Sequence, residues 1–194
     1  MITSDECVRV RMRQEGRLAW NYLLQKGFYL AGRAGMTVRE FLATALGYDD
    51  RTIEEQVRTI FLNSSPMDDI DSVHVRDGDR LALGSAMPGL IGICMGRDNP
   101  YKGFRSDISA RADESVADPR QIIRVFVKIF STLAVDTGES VLARGIAMDA
   151  IDLAGFLDRQ KEHMLPVDNL PPQTQLATLH TLSGEVTVIA EFAR

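Results

Sequence analysis

An α+β fold is what this sequence predicts, on three observations. Val8-Arg9-Val10-Arg11-Met12-Arg13 alternates apolar and basic residues with the two-residue period of a half-buried strand, one face wet and positive. Thr37-Val38-Arg39-Glu40 is a helix-opening capping box, in which the threonine oxygen accepts from the third helical amide and the glutamate reaches back to the cap's own N–H. Ile122 to Phe130, IIRVFVKIF, is rich in β-branched residues and apolar on both faces of its pleat, the composition of a central strand.

The remaining elements follow in order. Leu18 to Ala31 reads as strand or short helix, with a second strand placed at Phe28–Ala31. After the capping box, Val38, Phe41, Leu42, Ala45 and Leu46 form one apolar stripe that ends at Gly47. Thr52–Glu55 repeats the pattern and predicts a short helical turn before a strand at Thr59–Leu62, which Asn63–Pro66 closes with a turn. Ser72–Val75 reads as a brief strand, Arg76–Asp79 as a tight turn and Arg80–Leu83 as another strand. From Gly92 to Asp118 periodicity is lost, so the chain divides into 1–96, a linker at 97–118 and a second unit at 119–194. In that second unit a helix opened by Asp118-Pro119 is the rival to the strand at Ile122–Phe130, and Ser131–Arg144 is ambiguous with Gly145 as its stop. Asp149 caps a helix with Ile151, Leu153, Ala154, Phe156, Leu157 and Met164 on its apolar face. Leu176–Leu182 and Val186–Phe192 then flank Ser183-Gly184 as a C-terminal β-hairpin.

Composition bounds the function. The 194 residues, 45% hydrophobic and 25% charged, suffice for one large domain or two small ones. A formal net charge of -5 opposes constitutive nucleic-acid binding, which needs surplus Lys and Arg to release counterions, although a local basic patch is compatible with it. Cys7 and Cys94 are too few for a disulfide framework, and neither stands at metal-ligand spacing, so a reducing, cytoplasmic compartment and no metal are expected. The N-terminal MITSDECVRVRMRQ has no apolar leader, and the apolar run from Leu81 to Gly96 is too short and too interrupted by Pro88 and glycines to span a membrane. That run reads as a buried strand followed by a loop.

TVREFL, FLNSSPMDD and VRDGDRLALGSAMPG, in this order of elements, resemble the ubiquitin-like β-grasp fold and in particular the small sulfur-carrier proteins of thiamin and molybdopterin biosynthesis, over roughly Val8 to Gly89. The resemblance implies a β-grasp module in 1–96, followed by a smaller α+β unit ending in the hairpin, and a link to sulfur or cofactor metabolism. In that family the carboxylate of a C-terminal diglycine is adenylylated and converted to a thiocarboxylate. Here Pro88-Gly89 runs on into Leu90-Ile91-Gly92, so the resemblance carries the fold and no catalytic residue.

Few residues carry chemistry. His74, His163 and His180 are isolated from one another and from cysteine, and Asp68, Asp69, Asp71, Asp77 and Asp79 lack the order of a calcium loop. No nucleophile elbow, dinucleotide loop or P-loop spacing is present. Cys94, with Arg97 nearby, is a candidate reactive thiol whose alternative is a buried structural one. Arg97, Tyr101, Lys102, Phe104 and Arg105, with Arg111 beyond them, interleave cations and aromatics as binding hot spots do, although a linker with two anchoring aromatics has the same composition. The expected function is a non-catalytic protein-binding or assembly module that holds a protein partner or a second copy of itself, without nucleic acid or membrane. The alternative is an enzyme or a small-anion or cofactor-binding protein with its site between the two halves around Cys94–Arg105; the sequence names no particular cofactor.

Overall fold

The computed structural model describes residues 6–105, 108, 118 and 120–193, except the side chain of Lys102. The strands are β1 (Cys7–Arg13), β2 (Phe28–Arg33), β3 (Thr59–Leu62), β4 (Ser65–Pro66), β5 (Arg80–Gly84), β6 (Ile122–Phe130), β7 (Ile146–Asp149), β8 (Met164–Leu165) and β9 (Glu185–Ala193). The α-helices are α1 (Asn21–Lys26), α2 (Val38–Thr44), α3 (Gly89–Met95), α4 (Ser131–Arg144), α5 (Ala150–Arg159) and α6 (Pro172–Leu179). Tighter 3₁₀ segments span Gln14–Trp20, Lys102–Arg105 and Lys161–His163, and a π-helical turn spans Thr52–Gln56. The class is α+β. Two compact units form, one continuous (Leu24–Asp136) and one joining Met1–Leu23 to Thr137–Arg194. The expected division at 97–118 falls inside the continuous unit, and β1 belongs with the C-terminal residues.

In the continuous unit the strand order is β4-β3-β5-β6-β2. β6 is the pivot: it runs antiparallel to β2, from Phe28 opposite Val127 to Arg33 opposite Ile122, and parallel to β5, from Arg80 opposite Phe126 to Gly84 opposite Phe130. Its β-branched residues suit this place, and Ile123, Val125, Val127 and Ile129 are buried at alternate positions. Phe28, Leu30, Leu81 and Leu83 of the paired strands, Ile60 of β3, and Val38, Phe41 and Leu42 of α2 are buried as well. α2 opens as expected: Glu40 N donates to Thr37 Oγ1 at 3.2 Å, and Thr37 N donates to Glu40 Oε2 at 2.9 Å. Ser72–Val75 does not form the expected strand. Asp69 accepts from the amides of Asp71 and Ser72 and Asp79 from that of Arg76, so polar turns close on both ends and leave one bridge, His74 to Thr37.

In the discontinuous unit the order is β7-β9-β1-β8. β9 runs parallel to β1, Cys7 opposite Thr187 through Arg13 opposite Ala193, and antiparallel to β7. β8 pairs antiparallel with β1 at Arg11 and Met12. Asp149 caps α5, its Oδ1 accepting from Ile151 N at 2.8 Å and Asp152 N at 3.2 Å. Leu153, Ala154, Phe156 and Leu157 are buried as expected, whereas Ile151 is 71% exposed and Met164 belongs to β8. Trp20, fully buried, packs edge-on against Phe156 and Phe192 at ring separations of 4.9 and 6.1 Å.

The chain does not end in a β-hairpin. Pro172–Leu179 is α6 rather than a strand, and β9 has β7 and β1 as its neighbours. Pro171 and Pro172 supply no amide and a φ already suited to a helix start. Leu176 and Leu179 are both buried; three residues apart, they share one side of a helix but would face opposite ways along a strand. The ambiguous segment 131–144 is helical and stops at Gly145, whose φ of +96° favours glycine.

One pattern occurs in both units. A central parallel pair, β5/β6 or β1/β9, is flanked on each side by an antiparallel strand, and a capped helix lies between the two flanking strands in sequence: β2–α2–β3 and β7–α5–β8.

Candidate functional site

Beyond β5 the chain turns through Pro88 and Gly89 into α3, a seven-residue helix whose sequence GLIGICM is apolar around its whole circumference. Such a helix cannot bury every side. Gly92 faces inward, so close to Met87 that a Cβ there would lie 2.5 Å from the Met87 carbonyl oxygen. Leu90, Ile91 and Ile93 face out, 70%, 76% and 47% exposed.

Two arginines fasten the segment that follows. Arg97 is 2% exposed: its amide donates to Arg58 O at 2.7 Å, and Nη2 donates to Ile53 O at 3.1 Å and to Glu54 Oε2 at 2.9 Å. Arg105 is also buried, donating from Nε to Cys94 O at 2.7 Å and from Nη2 to Gly96 O at 3.0 Å and Asp68 Oδ1 at 2.7 Å. Asn99 Nδ2 adds bonds to the carbonyls of Cys94 and Gly96. Helix, loop and 3₁₀ turn are thereby held to one another through their backbone carbonyls.

The predicted site residues therefore separate into two groups. Arg97 and Arg105 point inward and serve the backbone. Tyr101 and Phe104 stack on each other with ring centroids 6.4 Å apart and face out, Phe104 at 85% exposure. The backbone of Lys102 lies in the 3₁₀ turn, and Arg111 is outside the described residues. Cys94 is half-buried in α3, its carbonyl occupied by Asn99 and Arg105. Leu90, Ile91 and Ile93 were not among the residues expected at a site; the signal that could have found them is the absence of any polar side on α3.

Beside this segment lies an acidic cleft of about 370 Å³, lined by Arg39, Glu54, Asp68, Asp69, Asp71, Asp98 and Arg97 among others. Arg39 binds Asp71 Oδ1 and Glu54 Oε1, each at 2.5 Å, which raises its own pKa. Glu54 is held below the usual carboxylate range, chiefly by the hydrogen bond from Arg39 and then by the charges of Arg97 and Arg39, and Asp69 is lowered by the hydroxyl and amide of Ser72. Five carboxylates against two guanidiniums leave the cleft negative. His180, expected on a strand, sits instead at the end of α6 with its Nε2 3.0 Å from Asp158 Oδ2. Among the described residues no three His, Cys, Asp or Glu are grouped to hold a metal ion, and no helix is long and apolar enough to cross a membrane. No family model, curated protein or solved structure matches the chain.

Proposed function

We propose that this chain is a non-catalytic protein-binding or assembly module whose partner docks on the surface formed by α3 and the 102–105 turn. The observation that carries the reading is the exposure of Leu90, Ile91 and Phe104, at 70%, 76% and 85%, on a segment bolted down by two buried arginines. Large apolar side chains on an ordered surface mark sites that another protein covers, and Tyr101 and Phe104 are of the type that anchors such contacts. The occupant this surface fits is an apolar groove rimmed by basic residues, because the adjoining cleft presents five carboxylates. A second copy would set acid against acid in a two-fold contact, and anionic lipid would meet the same repulsion.

The strand pattern supports a β-grasp reading of the continuous unit: a parallel central pair, antiparallel flanks, and a helix between the flanking strands opened by TVREFL. In this reading β6 takes the place expected for Val8–Arg13. The stretch that is the reactive tail in sulfur carriers continues here into α3, which bears the docking surface, so partner binding persists where the carboxylate chemistry does not. The link to sulfur or cofactor metabolism rests on the sequence resemblance alone. The alternative, an anion or cofactor site around Cys94–Arg105, draws on Arg97 Nη1, buried without a hydrogen-bond partner among the described residues, but the carboxylates around it repel an anion.

A photo-crosslinking residue placed at Phe104 tests this in lysate of the source organism. One discrete partner should be captured by the parent chain and lost on Leu90→Asp with the fold intact. Capture that survives Leu90→Asp, or crosslinking only to the chain itself or to lipid, would overturn the docking assignment.

A further inference from the structure

A second surface lies on the sheet of the Leu24–Asp136 unit, on the face opposite the core. The two-residue period places Tyr29 and Arg33 of β2, Arg124, Phe126 and Lys128 of β6, and Arg80 of β5 on this one face, while their neighbours Leu30, Val125, Val127 and Leu81 are buried. Register then sets Phe126 between Tyr29 on one side and Arg80 on the other. The rings of Tyr29 and Phe126 meet edge-on at 5.0 Å. The guanidinium of Arg124 lies 4.3 Å from the Tyr29 ring centre; that of Arg80 and the ammonium of Lys128 lie 5.2 and 5.8 Å from the centre of Phe126. Gly27, at φ +113°, makes room for this: a Cβ there would sit 2.2 Å from the tip of the Phe126 ring. A groove of about 590 Å³ beside Phe126 is lined by Phe61, Ser64, Arg80, Leu81, Ala82 and Lys128, with no carboxylate. Among the described residues neither Arg80 nor Lys128 forms an ion pair.

We propose that this face binds single-stranded nucleic acid, the bases stacking on the Tyr29/Arg124 platform and the phosphates lying against Arg80 and Lys128, which Phe126 holds beside it. Cations call for an anion, and flat π surfaces set between them call for planar groups spaced along it, a combination that single-stranded nucleic acid supplies. Duplex DNA hides its base faces in the stack, and an acidic peptide would use the cations without the rings. The net charge of -5 opposes approach at long range, so the interaction belongs to the patch, is weak at high salt and strengthens as salt is lowered. This inference does not depend on the docking surface at α3.

Fluorescence anisotropy of the full chain with a labelled single-stranded oligonucleotide of about 12 nucleotides, across a salt series, tests it. Binding at low salt is expected, with duplex of the same length and an acidic phosphopeptide clearly weaker. Arg80→Gln and Lys128→Gln should each reduce the slope of log affinity against log salt by about 0.7. Tyr29→Ser should weaken binding about tenfold with little change in slope, since stacking and not charge is removed. Thermal midpoints measured on the same proteins identify any variant that has lost its fold, and the salt slope of the parent chain stands independently of them. No binding of the parent at low salt, equal binding of the phosphopeptide, or a folded Tyr29→Ser variant with unaltered affinity would each overturn the proposal.

Discussion

Arg105 donates from Nε to the carbonyl of Cys94 at 2.7 Å, closing the loop between α3 and the 102–105 turn. The same side chain serves Gly96 O and Asp68 Oδ1, so its removal takes the charged donor from three acceptors and leaves them to the Asn99 amide and the Asp98 N–H. Arg105→Ala is expected to destabilise the continuous unit by about 2 kcal/mol, the range for losing hydrogen bonds from a charged donor whose carboxylate partner keeps some solvent. Arg105→Lys should recover only part of this, because an ammonium cannot reproduce the planar fork that reaches all three. Urea denaturation read at the midpoint checks both; a midpoint unchanged in the alanine variant would show that the loop is held elsewhere.

Phe104 is the counterpart on the outside. At 85% exposure it has little to lose in the folded chain, and Phe104→Ala should leave stability within about 0.5 kcal/mol of the parent. Its affinity for the captured partner should fall by about 2 kcal/mol, mostly through a faster off-rate. Calorimetry and surface plasmon resonance on one preparation separate the two quantities, and lost stability with unaltered affinity would make the ring a structural anchor.

What was legible in the sequence is local, and what was not depends on distant partners. The capping box at Thr37, the cap at Asp149 and the turn at Arg76–Asp79 each state their structure within four residues. β1 was legible as a strand, but its neighbour β9 lies at the other end of the chain, and no period or cap reports which strand will lie alongside. Leu176–Leu182 has strand composition, yet its first four residues close α6 and the rest leave it as a turn, because Pro171-Pro172 and the spacing of Leu176 and Leu179 outweigh that composition. At the site, aromatics and arginines interleaved in a loop have the composition of one contact surface. Burial of Arg97 and Arg105 follows from carbonyls that α3 and the π-helical turn direct toward them, and those appear only once both are folded.

The helix opened by Thr37 gives a local test of the continuous unit. Thr37→Ala removes the acceptor for Glu40 N and leaves Glu40 with half of a reciprocal pair, so a loss of about 1 kcal/mol is expected. Thr37→Ser or Thr37→Asp should restore most of it. Guanidinium melts of the three variants check this, and an alanine variant as stable as the parent would mean that the packing of Val38, Phe41 and Leu42 alone holds the helix start.

The acidic cleft makes stability depend on pH in a direction that can be worked out. Glu54 is bonded to Arg39 Nη2 at 2.5 Å and to Arg97 Nη2 at 2.9 Å, and its pKa in the folded chain lies below the ordinary value. The folded state therefore holds its proton more weakly than the unfolded one. The contribution is complete above the unfolded pKa, about 4.3, and is lost as pH falls through the folded value. A guanidinium stays cationic over this range, so the change within this ion pair comes from the carboxylate. Glu54 is about half exposed at its side chain, and solvent screening keeps the contribution to about 1 kcal/mol or less. Glu54→Gln should thus be less stable than the parent at pH 7 by that amount, with the two denaturation midpoints converging as the pH is lowered below about 4. Asp69, lowered through Ser72, continues to supply an acid limb in both proteins, so convergence and not disappearance of the limb is the quantity to measure. A difference between the two that stays constant from pH 7 down to 3 would show that the Glu54 charge is not what the arginines stabilise.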